Sequence, residues 1–284
     1  MTITKVSSSD PSYPASLARI HVPPKDLYYL GKAPVDLGVS VAVVGSRRPT
    51  AYGIAVTKQL SEELARRGVT IISGLALGVD ALAHQAALKA GGRTIAVMPG
   101  GLDRIYPATN HKLARDILVQ GGTLLSEYPV GMPAAKHHFI ARNRIVAGLA
   151  DAILVTEAAE KSGTLITVRY GLEQGKTILS VPGNITSVLS KGTNNLIRTG
   201  ATPVTEVIDI LHAMGLEDTM ADHEPVIMNA DEQVIVDLLR QGITHQEDLL
   251  GQSNLPVTAF NTTLTMLEIT GRIESIGQGQ WILR

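Results

Sequence analysis

Short apolar segments rich in valine and isoleucine recur along the chain from Val39 onward, and each is followed by a loop and a helical stretch. Segments that are apolar at nearly every position are typical of parallel strands covered by helices on both faces. The six predicted strands are 39–44, 69–73, 94–98, 123–126, 152–155 and 177–181. The pattern predicts an α/β fold, a Rossmann-like, doubly wound, mainly parallel sheet. Ligands of such sheets bind beyond the carboxyl ends of the strands.

Glycines mark the predicted helix ends, where a left-handed turn favours a residue without Cβ. They are Gly68, Gly91, Gly121 and Gly175.

A second, smaller domain is predicted at the C-terminus. The strand-helix pattern stops near Gly215, and the acidic, proline-containing stretch that follows is interpreted as a linker. Three helical stretches and a segment alternating around two glycines come next, which is typical of a winged helix. The predicted parts are a lead-in segment 1–38, a Rossmann-like domain 39–212, a linker 213–228 and a winged-helix-like domain 229–284.

Charge is distributed unevenly, although the formal net charge of the chain is only −1. Residues 39–212 contain 18 Lys+Arg and 12 Asp+Glu, which gives a net charge of +6. Residues 213–284 contain 3 Lys+Arg and 11 Asp+Glu, which gives a net charge of −8. A surface that binds a polyanion is therefore expected in the Rossmann-like domain, and the C-terminal part should repel nucleic acid.

The chain contains no cysteine, which excludes disulfides, thiolate metal sites and cysteine nucleophiles and fits a reducing compartment. The first residues lack a signal-peptide pattern, and no apolar run is long enough to span a bilayer. We expect a cytoplasmic protein without a membrane span.

The loop after the first predicted strand has the features of a phosphate-binding site. Gly45 and Ser46 offer backbone N–H groups and a hydroxyl at the start of a helix, and Arg47 and Arg48 add positive charge. The glycine pattern of a dinucleotide-binding loop is missing, which disfavours a nicotinamide cofactor. The alternative is a glycine turn with two solvated arginines.

The loop after the second strand, SGLALGVDALAH, supplies Ser73 and Gly74 as further candidates. Asp80 and His84 are four residues apart, on one face of the helix that follows. They could form an acid–base pair, but an acid that stabilises the helix start beside a partly buried histidine is the favoured interpretation.

The segment KHHFIARNRIVAGLAD combines cations with a scarce aromatic residue. Lys136 and Arg142 supply charge, Asn143 supplies an amide, and Phe139 is one of only two phenylalanines. A ring between cations predicts base stacking, worth about 1–3 kcal/mol per base, beside salt-dependent phosphate contacts. In the alternative interpretation Phe139 fills the core and Arg142 pairs with a carboxylate. The adjacent histidines 137 and 138 diverge and make a poor metal pair.

A second phosphate cradle is predicted where Ser162, Gly163 and Thr164 open a helix just after Lys161. Glu157, at the end of the preceding strand, could be a catalytic base or could bind a backbone N–H or an arginine; both remain open. Weaker candidates near the same edge are Lys191, Asn194 and Asn195.

Seven blocks, in this order, resemble the DNA-processing protein A (DprA/Smf) family over about residues 10–205. They are VAVVGSRRPTAYG, IISGLALGVDALAH, TIAVMPGGLDRIYP, LLSEYP, KHHFIARNRIVAGL, VTEAAEKSGTLIT and SVPGN...KGTNNLIRTGA. The resemblance implies a protein that binds and protects single-stranded DNA in a Rossmann-like pocket and helps to load the RecA recombinase in natural transformation. It also implies a homodimer and no catalytic activity, and no cofactor or metal is expected.

The resemblance also implies roles for individual residues. Gly45, Ser46 and Arg47 match the first phosphate loop of the family, and Lys136 and Phe139 match its cation and stacking ring. The remaining matches are Arg142 and Asn143 in the RNR block and Ser162, Gly163 and Thr164 in the second cradle.

The predicted recognition helix of the winged helix, TAFNTTLTMLEIT, contains no lysine or arginine. We therefore expect this domain to serve protein contacts or regulation and not to bind duplex DNA.

Two other functions stay open. One is a nucleotide-processing hydrolase of the lysine-decarboxylase-like type, which shares the loop at Pro99, Gly100 and Gly101 but requires a GT pair and a glutamate that LDRIYP replaces. The other is a sensor of a small nucleotide.

Overall fold

The computed structural model describes residues 2–217, 229–269, 272–277 and 279–283. The chain forms two compact units, Met1–Met220 and Ala221–Arg284. Of the predicted linker 213–228, residues 218–228 lie outside the described residues. Within the described residues, no helix combines the length and apolar character needed to cross a membrane.

A nine-stranded sheet, built from residues 4–203, organises the first unit. Its strands are β1 (Thr4–Ser7), β2 (Asp26–Gly31), β3 (Ser40–Val44), β4 (Thr70–Ser73), β5 (Thr94–Met98), β6 (Thr123–Ser126), β7 (Ala152–Val155), β8 (Thr177–Ser180) and β9 (Thr202–Pro203). The spatial order is β1-β2-β6-β5-β4-β3-β7-β8-β9. Neighbours from β6 to β9 are parallel, whereas β1 and β2 pair antiparallel. All six predicted strands are present, with ends that agree to within one residue.

Helices cover both faces of this sheet. They are α1 (Ala15–Ala18), α2 (Ala51–Arg66), α3 (Val79–Lys89), α4 (His111–Val119), α5 (Lys136–Leu149), α6 (Thr164–Glu173), α7 (Lys191–Arg198) and α8 (Val207–Ala213). Strand β3 shows why the strands are apolar throughout: Ala42 and Val44 pack with residues of α5 and α6, whereas Val41 and Val43 pack with residues of α2 and α3. The doubly wound architecture is confirmed.

The four glycines predicted to end helices all have positive φ, between 67° and 78°. They provide the left-handed turns that the sequence analysis expects at these positions.

Residues 1–38, interpreted from the sequence as a lead-in segment, contribute β1, α1 and β2 to the same unit. Strand β2 joins the edge of the sheet antiparallel to β6 and buries Leu27 and Leu30. Leu27 and Tyr29 pack on one face of the sheet, and Tyr28 and Leu30 pack on the other. Both tyrosines are only half-buried, so the sequence DLYYLG lacks the continuous apolar run that reveals the central strands.

The strand order reverses between β3 and β7. From β3 the chain proceeds through β4, β5 and β6 on one side, and β7 then returns to pair with β3 on the other. The loops that follow β3 and β7 therefore diverge and leave a crevice at the carboxyl edge of the sheet, where ligands of doubly wound sheets bind.

The second unit contains three helices followed by a hairpin: α9 (Ala230–Arg240), α10 (Gln246–Ser253), α11 (Val257–Ile269), β10 (Ile273–Gly277) and β11 (Gln280–Leu283). Phe260 lies fully buried among the residues of its core. The order of elements agrees with the predicted winged helix.

Candidate nucleic-acid interface

A pocket of about 420 Å³ occupies the crevice between β3 and β7. Ten of the thirteen predicted site residues line it, which brings together loops that are more than 100 residues apart in the chain. They are Gly45, Ser46, Arg47, Gly74, Phe139, Arg142, Asn143, Ser162, Gly163 and Thr164. The other three, Arg48, Ser73 and Lys136, are not among its lining residues.

The loop after β3 presents backbone amides to this pocket. The Ser46 N–H donates to the carbonyl of Glu157 (2.7 Å), so this amide is already occupied, and the Arg48 N–H donates to Ser46 Oγ (3.1 Å). The N–H groups of Gly45 and Arg47 have no acceptor among the described residues. The loop thus offers two free amides, the Ser46 hydroxyl and the exposed Arg47 side chain to an anion.

Glu157 fixes this loop to the start of α2. Its carboxylate is 2% exposed and accepts hydrogen bonds from the Thr50 N–H (2.8 Å) and the Thr50 hydroxyl (2.6 Å). Thr50 Oγ1 in turn accepts the Gly53 N–H (3.2 Å) and caps the helix. Of the two roles left open by the sequence, the geometry favours the structural one, because both carboxylate oxygens are engaged away from the pocket.

The loop after β7 forms the opposite wall. The Thr164 hydroxyl donates to the carbonyl of Gly45 (2.9 Å) and ties the two loops together. Ser162 Oγ accepts the Thr164 N–H (3.2 Å), whereas the N–H of Gly163 has no acceptor among the described residues. Lys161, which is not among the predicted site residues, is exposed and lines the pocket.

Helix α5 contributes the aromatic ring. Lys136, Phe139 and Asn143 follow each other at spacings of three and four residues, so they share one face of the helix. Phe139 is half-buried and lines the pocket, and the guanidinium of Arg47 lies 5.9 Å from the centre of its ring. The ring is therefore accessible and does not fill the core. Lys136 is exposed in the first turn of this helix.

Arg142 lies in the floor of the pocket and is only 5% exposed. Its Nη1 donates to the carbonyl of Val97 (2.5 Å). Its guanidinium also lies against the backbone of Gly74, where a Cβ would come within 1.8 Å of Nη1. The close approach therefore requires glycine at position 74.

Asp80 carries the charge that acts on Arg142, although the two side chains form no ion-pair contact. Its carboxylate is 8% exposed and accepts the N–H groups of Gly74 (3.1 Å) and Ala76 (3.3 Å). Burial raises the pKa of Asp80, and the charge of Arg142 opposes this shift. Burial likewise lowers the pKa of Arg142, and Asp80 opposes that shift. The two charges therefore act on each other through space, without the direct carboxylate contact that the alternative interpretation of Arg142 expects.

The segment after β4 also contacts the loop that carries Arg47. Gly78 has a φ of 76°, and a Cβ there would lie 2.3 Å from the carbonyl oxygen of Ser46. The neighbouring Val79 N–H donates to the same carbonyl (3.1 Å). Ser73 does not reach the pocket, because its fully buried hydroxyl donates to the carbonyl of Val43 (2.6 Å) and links β4 to β3.

His84 does not pair with Asp80. It is fully buried, its Nδ1 lies 2.7 Å from Thr94 Oγ1, and burial lowers its pKa to about 3. Among the weaker candidates, Asn194 binds both the N–H and the carbonyl of Gly183 (3.1 and 3.0 Å) and holds a turn. These residues serve the fold.

Two family models match the chain. A model described as DNA recombination-mediator protein A matches residues 4–215, and a model of the DprA winged helix domain matches residues 220–279. The chain belongs to the DprA/Smf family. The winged-helix assignment of the second unit is thereby confirmed.

Individual members of the DprA/Smf family are similar over much of the chain. The Smf protein of Synechocystis sp. is 41% identical over 236 residues, which cover 81% of this chain and 58% of that protein. The X-ray structure of DprA from Streptococcus pneumoniae has a TM-score of 0.69 and 40% identity and covers 74% of each chain. DprA from Helicobacter pylori, described as having a unique single-stranded DNA binding mode, has a TM-score of 0.68 and 34% identity over 75% of this chain and 95% of that one.

Proposed function

We propose that this protein binds single-stranded DNA in the pocket between β3 and β7 and acts as a recombination mediator. The main support is that three kinds of group surround one crevice. They are free amides from two loops, the exposed cations Arg47 and Lys161, and the accessible ring of Phe139. Amides and cations bind phosphates of any sequence, and a ring stacks on any base. Membership in the DprA/Smf family and the description of the H. pylori relative support the proposal.

Single strands fit this site better than duplexes. A base can reach Phe139 only if it is unstacked from its neighbours, which costs little in a single strand. We therefore expect oligothymidine to bind more tightly than a duplex of equal length.

The test is a salt series of binding to oligothymidine with wild-type protein and two variants. Arg47→Ala and Lys136→Ala should each weaken binding and reduce the slope of log affinity against log salt by about 0.7, the value for one phosphate contact on a single strand. The matched control is Lys89→Ala, because Lys89 ends α3 at the opposite edge of the sheet and pairs with Glu62. Unchanged affinity in both test variants, or no complex of the wild type at low salt, would refute the proposal.

We also propose that the protein helps to load RecA onto the strand, works as a homodimer in the cytoplasm and catalyses no reaction. These points rest on the family resemblance and on the cysteine-free sequence, which suits a reducing compartment. Sedimentation of the protein with and without oligothymidine tests the dimer. Assembly of RecA filaments on DNA coated with single-strand-binding protein tests the loading.

The alternative functions predict different outcomes at the same pocket. A hydrolase would turn over nucleoside monophosphates, but the loop at Pro99, Gly100 and Gly101 is not among the lining residues, and Gly100 and Gly101 bond instead to Ser126 and Met132. A nucleotide sensor would bind mononucleotides as tightly as long strands. Titration with strands of increasing length separates the sensor from the proposed function.

A further inference from the structure

A small niche of about 60 Å³ opens beside the main pocket. It shares Arg47 and Phe139 with that pocket, and its outer wall is formed by Leu77, Tyr106 and Pro107. Leu77 and Tyr106 are large apolar side chains that are 47% and 51% exposed. The niche is therefore continuous with the phosphate-binding region but has an apolar wall of its own.

The two rings of the niche form a corner. The centroids of Tyr106 and Phe139 are 5.2 Å apart, and their planes are inclined at 73°. A flat heterocycle that stacks on one ring turns its edge towards the other, and both arrangements are favourable between aromatic groups. An open right-angled corner suits a planar ligand better than an aliphatic one.

The walls of the niche are held in place before any ligand binds. Asn110 Nδ2 donates to the carbonyl of Leu75 (2.8 Å), so the segment that carries Tyr106 is attached to the loop that carries Leu77. That loop is itself fixed by the bond between Asp80 and the Ala76 amide. A prearranged site loses little conformational entropy when it binds.

We propose that Leu77 and Tyr106 form, with Phe139, a subsite for the nucleobase that adjoins the phosphate bound by Arg47. The proposal rests on the proposed function, since it assigns a place to one base of the bound strand. Arg47 lines both cavities, so the phosphate and the base it carries can be held at the same time. The subsite accepts any base, because it offers apolar faces and ring edges in place of a hydrogen-bond pattern.

The experiment compares two oligonucleotides of equal length, oligothymidine and its abasic counterpart, with wild-type protein and Tyr106→Ala. We expect the variant to bind oligothymidine about 5- to 150-fold more weakly, the usual range for one stacked base, and to bind the abasic strand as the wild type does. Tyr106→Phe should retain the wild-type affinity for oligothymidine, because the ring is kept. Val119→Ala is the control, since Val119 is 70% exposed at the end of α4, on the opposite edge of the sheet.

A strand that carries 2-aminopurine gives a second readout. Its fluorescence should be quenched by stacking in the wild type and less so in Tyr106→Ala. Equal loss of affinity for both strands would overturn the subsite, because it would mean that Tyr106 supports phosphate binding. If Tyr106→Ala bound both strands with wild-type affinity, the subsite would also be overturned, but the proposed function would stand. If the wild type bound neither strand, the proposed function itself would fail.

Discussion

Replacement of Arg142 by methionine tests whether this arginine holds the pocket together from inside. Methionine keeps much of the apolar stem and removes the charge and the hydrogen bond to Val97. Asp80 would then remain buried without its countercharge, held only by two amides. The expected result is a clear loss of stability of the first unit.

The magnitude follows from these contacts. A hydrogen bond from a charged group contributes roughly 1.5–3 kcal/mol. Asp80 interacts with Arg142 only through space and keeps two N–H donors, so losing its countercharge costs less than the about 3–5 kcal/mol of a broken contact pair. Together with the lost hydrogen bond to Val97, we expect a cost of about 3 kcal/mol. For a unit of this size each kcal/mol corresponds to about 2–4 °C, so the Tm of the first unit should fall by about 6–12 °C.

The assay uses the uneven distribution of aromatic residues. All 7 tyrosines lie in the first unit, and the single tryptophan, Trp281, packs in the core of the second. Thermal unfolding followed by the near-ultraviolet circular dichroism of tyrosine should show the shift. Fluorescence of Trp281 should show no comparable change.

The loss should also depend on pH. The pKa of Asp80 is already raised by burial, and without Arg142 it rises further. A carboxyl with a raised folded-state pKa destabilises the fold once pH exceeds its unfolded value, so the deficit of the variant should shrink as pH falls from 7 towards 4. Adding Asp80→Asn to the variant should recover part of the loss at pH 7, the part due to the uncompensated carboxylate and not the part due to the lost hydrogen bond to Val97. A variant as stable as the wild type, or a deficit unaffected by Asp80→Asn, would refute this reasoning.

Two further predictions concern buried groups outside the pocket lining. Glu157→Ala should lower the free energy of unfolding by about 1–3 kcal/mol, because the Thr50 N–H loses its acceptor. Unchanged stability in urea denaturation would contradict the role of Glu157 in fixing the start of α2. His84 has a pKa of about 3 when folded and near 6.5 when unfolded, so the unfolded state binds more protons between these values and stability should fall as pH decreases from 6.5. In His84→Gln this part of the pH dependence should disappear, and an identical slope in both proteins would mean that His84 is not buried in neutral form.

The central strands could be predicted from the sequence because both of their faces are buried. The sequence did not predict strands β1, β2 and β9. β1 and β2 form the antiparallel side of the sheet and lack a continuous apolar run, and β9 contains only Thr202 and Pro203. The position of the site followed from the topology, since loops after parallel strands meet at one edge.

The roles of single residues within the site were harder to predict. Spacing along α5 places Phe139 and Arg142 near the same edge, but it does not show that one is accessible and the other buried against Gly74. Gly74, the glycine after β4, was the one residue in the sequence that could have indicated the buried position of Arg142, since a glycine leaves room for a neighbouring side chain. Tyr106 gave no signal, because its partner Phe139 is 33 residues away and the contact exists only in the folded chain.

The contrast between Arg142 and Arg47 determines how strongly salt should affect binding. Arg142 is already bonded to Val97 and buried within reach of the charge of Asp80, so it should release no additional counterions when a strand binds. The exposed cations Arg47, Lys136 and Lys161 remain hydrated and can each neutralise one phosphate. Each phosphate contact on a single strand contributes about 0.7 to the slope of log affinity against log salt. Two cations in the pocket and Lys136 outside its lining should therefore give a slope near −2. The buried arginine thus shapes the site, while the exposed cations set its dependence on ionic strength.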